Sequence, residues 1–262
     1  MLIDSHCHLD AAPFDADRDD VVAAARAVGV RQLLIPAVDR ASFARVGACC
    51  ARYAGCHPAY GIHPLFAADA EDSDLQVLED CLTGTVQPTP AAVAIGEIGL
   101  DWYFESTDFS RQERFFVEQL KIARKFDLPV LVHSRRAVDA VLKHLRRIRV
   151  RGGIAHAFNG SAQQAAEFIK LGFKLGFGGA LTFPGSTRIR HLATTLPLEA
   201  IVLETDAPDI PPVWLNGSRN TPASLKAIND MLSELRGMTS ETLAEATTHN
   251  MATLLPQLRS GD

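Results

Sequence analysis

The 262-residue chain has no apolar run of membrane-spanning length, no C-x-x-C pair, no internal repeat and no low-complexity tail. Without such a run, a spanning helix is excluded and no membrane partner is expected. The start, Met1-Leu2-Ile3-Asp4, places no basic stretch ahead of a hydrophobic one, so no signal peptide is expected. Five cysteines (Cys7, Cys49, Cys50, Cys56, Cys81) are odd in number and do not form a disulfide framework; the expected compartment is the reducing cytoplasm. Lys and Arg total 26 against 31 Asp and Glu, a net charge of −5. That balance excludes a global attraction to nucleic acid or anionic lipid and leaves any such binding to a local patch. No obligate protein partner is evident.

What is present is an ordinary globular composition, 47% hydrophobic and 22% charged, in a length that suits one α/β domain over residues 1–262. Strand-like and helix-like segments alternate. Strands are expected at residues 2–5, 30–37, 59–62, 91–95, 129–132, 153–155, 173–177 and 201–203. Helices are expected at 19–28, 41–53, 73–82, 109–126, 137–147, 161–171, 189–195, 224–235 and 240–254, with a Pro-marked loop at 87–90. Gly29 closes the first helix, Ser161 is a candidate N-cap, and Phe116, Leu120 and Ala123 form one stripe. Eight strands, each followed by a helix, predict a (β/α)8 TIM barrel. A doubly wound sheet would want a Gly-rich phosphate turn after its first strand, where His6-Cys7-His8 stands instead.

The expected strand ends carry the chemistry. His6 and His8 would lie on one face about 7 Å apart along the chain, with Cys7 turned into the core. Glu97 follows a buried strand, where a carboxylate must be paired or bound to a cation, and its two oxygens suit a bridge between two cations. His133 and His156 end successive strands; singly each reads as a core histidine, jointly as nitrogen ligands. Asp206 is the candidate to bind metal and accept the proton of attacking water, with Glu204 and Asp4 in supporting places. His63 ends the third strand and is assigned to the leaving or bridging oxygen of the substrate. Ser134-Arg135-Arg136 is read as opening a helix, so Arg135 is a candidate phosphate contact. The later basic residues, Lys143 to Arg151 with His144 among them, are read as a solvated face.

At these residues the chain resembles the TatD family of metal-dependent nucleases, among the amidohydrolase-like TIM barrels. The matching segments are Asp4-Ser5-His6-Cys7-His8-Leu9-Asp10, Gly61-Ile62-His63-Pro64, Gly96-Glu97-Ile98-Gly99-Leu100-Asp101, His133-Ser134-Arg135, His156-Ala157-Phe158-Asn159-Gly160 and Leu203-Glu204-Thr205-Asp206-Ala207-Pro208. Thr248-His249-Asn250 is similar to the family's C-terminal Thr-x-Asn. The resemblance implies two divalent ions, one on His6, His8 and Asp206, the other on His133 and His156, with Glu97 between. It also implies phosphodiester hydrolysis of DNA, trimming 3′ ends of single strands. Two departures stand out: Ala157 where the family often has Cys, and Asn220-Thr221-Pro222 in place of Asn-Glu-Pro. A ligand set without thiolates admits Mg, Mn or Zn. The rival readings are a metal-dependent ester or amide hydrolase, such as an aminoacyl-tRNA deacylase, and a non-catalytic nucleic-acid-binding barrel.

Overall fold

A computed structural model describes residues 1–84, 90–103 and 108–259. Their eight strands are β1 (Leu2–Asp4), β2 (Val30–Pro36), β3 (Cys56–Tyr60), β4 (Ala94–Asp101), β5 (Val130–Arg135), β6 (Gly153–Ala155), β7 (Phe173–Phe177) and β8 (Ile201–Leu203). Neighbours in sequence pair in parallel, in the order β1 to β8. Backbone hydrogen bonds from Ser5 N–H to Leu203 O, Asp206 N–H to His6 O and His8 N–H to Ala207 O draw β8 against β1 and curl the sheet into a barrel. The helices between strands are α1 (Arg18–Ala27), α2 (Ser42–Arg52), α3 (Asp72–Thr83), α4 (Phe109–Lys125), α5 (Val138–Arg147), α6 (Ala162–Lys170) and α7 (Thr187–Thr195). After β8 come α8 (Ser224–Arg236) and α9 (Ser240–Leu254). The architecture is the expected TIM barrel. No helix of the described residues is long and apolar enough to cross a membrane.

Alternation along the strands sorts the core into two layers. Ile3, Leu34, Ala59, Leu131, Ile154 and Val202 form one cluster with Met251, Leu254, Leu255 and Leu258, so the end of α9 and the segment after it plug the floor of the barrel. The intervening residues, among them Leu33, Ile35, Val130, Val132, Leu175 and Leu203, pack outward against the helices. Asn250 Nδ2 donates to Leu198 O and Ile201 O, both at 2.8 Å, so the C-terminal Thr-x-Asn segment fixes α9 under β8 and is remote from chemistry. The stripe of Phe116, Leu120 and Ala123 is buried as expected. Gly29 at φ 90° ends α1. Ser161 and Gln164 cap α6 reciprocally.

The strand ends differ from expectation where charged residues and glycine interrupt an apolar run. β4 does not stop at Ile95; it continues, fully buried, to Asp101. Its register with β5 slips between Ile95 and Ile98, where three residues span what two cover on β5. Such a bulge re-aims a side chain, and here that side chain is Glu97. Gly99 is required beyond it, because a Cβ would collide with the His133 carbonyl oxygen. β3 lies earlier than expected, and the Ile62 backbone is satisfied by the Gln119 side chain of α4, at 2.7 and 3.0 Å. β5 runs on through Ser134 and Arg135, so no helix opens there; α5 begins at Val138. His144 is buried against the Phe116 ring edge, unlike the exposed arginines around it. Residues 87–89 of the expected loop lie outside the described residues.

The β1–β8 seam depends on Asp4, which is fully buried. Its carboxylate accepts the Thr205 N–H at 2.9 Å, the Thr205 hydroxyl at 2.5 Å and the His6 N–H at 3.3 Å. It therefore holds backbone and does not orient an imidazole. Replacing Asp4 by Ala orphans these donors and should lower folding stability by about 3 kcal/mol. Urea unfolding reads the loss, and an unchanged midpoint would contradict this role.

Candidate metal centre

Every candidate ligand arrives at the C-terminal mouth of the barrel. His6 and His8 follow β1, Glu97 sits on the β4 bulge, His133 is on β5, His156 follows β6 and Asp206 follows β8. His6 Nε2 lies 3.2 Å from His8 Nε2, 3.2 Å from Glu97 Oε2 and 3.6 Å from Asp206 Oδ1. His8 Nε2 lies 3.6 Å from each of the same two oxygens. Four donors about 2.1 Å from a shared cation in tetrahedral array stand about 3.4 Å from one another, so these spacings are those of a cation site.

The remaining oxygens of the same two carboxylates face other imidazoles. Glu97 Oε1 is 3.1 Å from His133 Nδ1 and 3.6 Å from His63 Nε2. Asp206 Oδ2 is 3.7 Å from His156 Nε2. The His6 and His156 rings stack with centroids 3.8 Å apart, so the two groups of ligands share one space.

Each ring is turned by what lies behind it. His133 Nε2 is 3.0 Å from Asp101 Oδ2, so Nδ1, which faces Glu97, is the candidate ligand atom. His156 Nδ1 is 3.1 Å from Glu204 Oε1, an ion-pair approach without hydrogen-bond geometry, and that oxygen accepts the Ala157 N–H at 2.6 Å. Glu204 thus lies directly behind the His156 ring. Room for its carboxylate exists because position 176 is glycine; any Cβ there would overlap Glu204 Oε2. His63 behaves differently: its Nδ1 accepts the Leu65 N–H at 3.1 Å, so the neutral ring carries its proton on Nε2 and presents a donor. Cys7 is buried with its thiol on the Ala207 carbonyl oxygen, in the core as expected.

Asp206 and Ala157 both adopt left-handed backbone, at φ 57° and 44°. Such conformations cost about 1–2 kcal/mol for residues with a Cβ; Asp206 is itself a candidate ligand and Ala157 follows one, so the fold holds strain at the site. The segment around Asn220, which departs from the family pattern at Thr221, pins this turn: Asn220 Nδ2 donates to Thr205 O at 2.9 Å and Asp209 O at 3.0 Å.

The electrostatics describe a site short of positive charge. Burial works to raise the Glu97 carboxyl, but the imidazoles of His6, His63 and His133 hold it well below its usual range. Burial would lower His156, yet the Glu204 and Asp206 carboxylates carry it up to about 10. His63 is pushed down to about 3, chiefly by burial. Burial lifts Asp206 above the usual carboxylate range in spite of His156, His6 and His8. Carboxylates that draw protons onto neighbouring imidazoles will accept a divalent cation in the protons' place. The donor set, nitrogen and oxygen with no sulfur, fits Zn, Mg or Mn.

Two residues escaped the sequence reading. Asp101 was hidden because β4 was ended six residues early; on one continuous strand Glu97 and Asp101, four apart, fall on one face. Tyr103 carried no signal. Its ring lies under both Arg135 and Arg136, whose guanidinium carbons are 3.5 and 4.6 Å from its centroid. Arg135 therefore reaches the rim from a strand end, not from a helix start, and Arg136 packs against the same ring. A cavity of about 1100 Å³ opens above the ligands and takes in Glu97, Asp206, His63 and both arginines.

A (β/α)8 barrel that gathers imidazoles and carboxylates around a shared space at its mouth is the frame of a metal-dependent hydrolase. Residues 3–256 match the family model described as TatD related DNase, and the chain belongs to that family. It is 39% identical to the uncharacterized metal-dependent hydrolase YjjV of Escherichia coli K12, over 97% of each chain. It is 32% identical to the uncharacterized metal-dependent hydrolase YabD of Bacillus subtilis, over 95% of this chain and 97% of the relative. The crystal structure of the E. coli TatD homologue YJJV superposes with a TM-score of 0.92, at 38% identity, covering 97% of this chain and 98% of that one.

Replacing Glu204 by Ala frees the His156 ring and should weaken metal binding about 10- to 100-fold while the barrel stays folded. Calorimetric titration of the metal-free protein with Zn or Mn measures this. Unchanged affinity would show that His156 needs no support.

Proposed function

We propose that the protein hydrolyses phosphodiester bonds of DNA, at the 3′ ends of single strands, with two divalent cations. The observation that carries the reading is the division of Glu97, which turns Oε2 to His6 and His8 and Oε1 to His133. His6, His8 and Asp206 would hold one cation, His133 and His156 the other, and Glu97 would give one oxygen to each. When bound, such cations supply Lewis-acid chemistry, neutralising phosphate charge and making water acidic enough to attack at neutral pH.

The chain's own groups do the rest. Asp206, which lines the cavity, accepts the attacking water's proton on a carboxylate oxygen. His63, neutral and fixed by Leu65, donates from Nε2 to the bridging or leaving oxygen. Arg135 at the rim meets the negative charge of the substrate. A blind recess at a barrel mouth admits a strand end more readily than the side of a duplex. The family's description as a DNase supports the choice of phosphodiester over carboxyl ester or amide.

The test is the turnover of one metal-assayed preparation on a single-stranded deoxyoligonucleotide, a carboxyl ester and an aminoacyl ester. Faster cleavage of the oligonucleotide from its 3′ end is expected. A preference for either ester would transfer the same centre to carbonyl chemistry. In that preparation Glu97→Gln should lose activity at least about 100-fold and bind less metal, with the melting temperature shifted by a few degrees at most. Full metal content with near-normal turnover would refute the shared carboxylate.

A further inference from the structure

We infer that Arg135 and Arg136, positioned by Tyr103, form a subsite for a second phosphate of the substrate, distinct from the one being cleaved. The inference rests on the phosphodiester reading. Both guanidinium groups lie on one ring, within about 8 Å of each other. Successive residues of an extended strand point to opposite sides. Arg136 breaks that rule with left-handed backbone, φ 57°, and its side chain returns to the ring that Arg135 already covers.

The other rim arginines have neighbours: Arg45 lies 3.6 Å from Asp10, and Arg188 donates to Asn159 Oδ1 at 2.7 Å. Among the described residues, no carboxylate lies within ion-pair distance of Arg135 or Arg136. Two like charges held against one aromatic ring, with no carboxylate of the described residues in ion-pair contact, are relieved by an anion that both forks can grip. A phosphate fits that description.

The distance from the reacting centre is also built in. The Tyr103 N–H donates to Asp101 Oδ1 at 3.0 Å, and Asp101 Oδ2 is 3.0 Å from His133 Nε2. Hydrogen bonds thus link Tyr103 through Asp101 and His133 to Glu97. The gripped phosphate is therefore a neighbour of the scissile one, and both lie in the same cavity. Tyr103 touches neither phosphate; it is a positioning residue that acts through the two guanidinium groups.

The test compares a thymidine dinucleotide with the same dinucleotide phosphorylated at its 5′ or 3′ end. The wild-type protein should show a KM about 10- to 100-fold lower for one phosphorylated form, at similar kcat. Arg135→Ala/Arg136→Ala should abolish this preference, Tyr103→Ala should lose most of it, and Tyr103→Phe, which keeps the ring face, should retain it. Circular dichroism checks each variant's fold, and the double arginine variant carries the test if Tyr103→Ala does not fold. Equal KM for all three substrates, a preference surviving in the double variant, or its loss in Tyr103→Phe would overturn the subsite. Cleavage of a carboxyl ester with no cleavage of any dinucleotide would instead remove the phosphodiester reading, and the subsite with it.

Discussion

Buried negative charge at the barrel mouth is the constraint around which the rest of the molecule is arranged. Glu97, Asp101, Glu204 and Asp206 are almost wholly removed from water, within one cluster of imidazoles. Taking a carboxylate out of water without compensation costs several kcal/mol. The cluster is therefore tolerable only with positive charge among it, as protons on His133 and His156 or as cations. Local features otherwise hard to justify follow from holding these groups in place. They include the β4 bulge under Glu97, the glycine at 176 that makes room for Glu204, and the left-handed turns at Ala157 and Asp206. The hydrophobic plug from α9 closes the opposite end, so stability and chemistry occupy separate faces of one barrel.

Much of this was legible in the sequence because apolar runs and strand ends are local signals. β6, β7, β8 and α9 fall where periodicity puts them, and all six candidate ligands converge. The reading failed where tertiary pairing overrides local character. Gly96 and Glu97 look like the end of a strand, yet pairing with β5 carries β4 on to Asp101. Arg135 and Arg136 look like a helix start, yet Arg135 pairs with Asp101 in the sheet. His144, placed by composition on a solvated face, is buried because its side of α5 carries Val141 and Leu145 inward. Tyr103 could not be singled out, since its role exists only through two arginines more than thirty residues away.

The structure also separates two kinds of histidine that the sequence treats alike. Carboxylates lie behind His133 and His156, so that the other ring nitrogen faces the centre and would be bared to a cation when its proton leaves. A backbone N–H behind His63 does the reverse and leaves a donor there. One residue type would thus serve both as ligand and as hydrogen-bond donor, decided by whether the group behind the ring gives or takes a proton.

The central claim is that one glutamate is shared between two cations. Anomalous diffraction from crystals equilibrated with Mn addresses it most directly. The account predicts two peaks about 3.5–4 Å apart, with one Glu97 oxygen on each. A single peak on His6, His8 and Asp206, or two peaks with Glu97 touching only one, would contradict it.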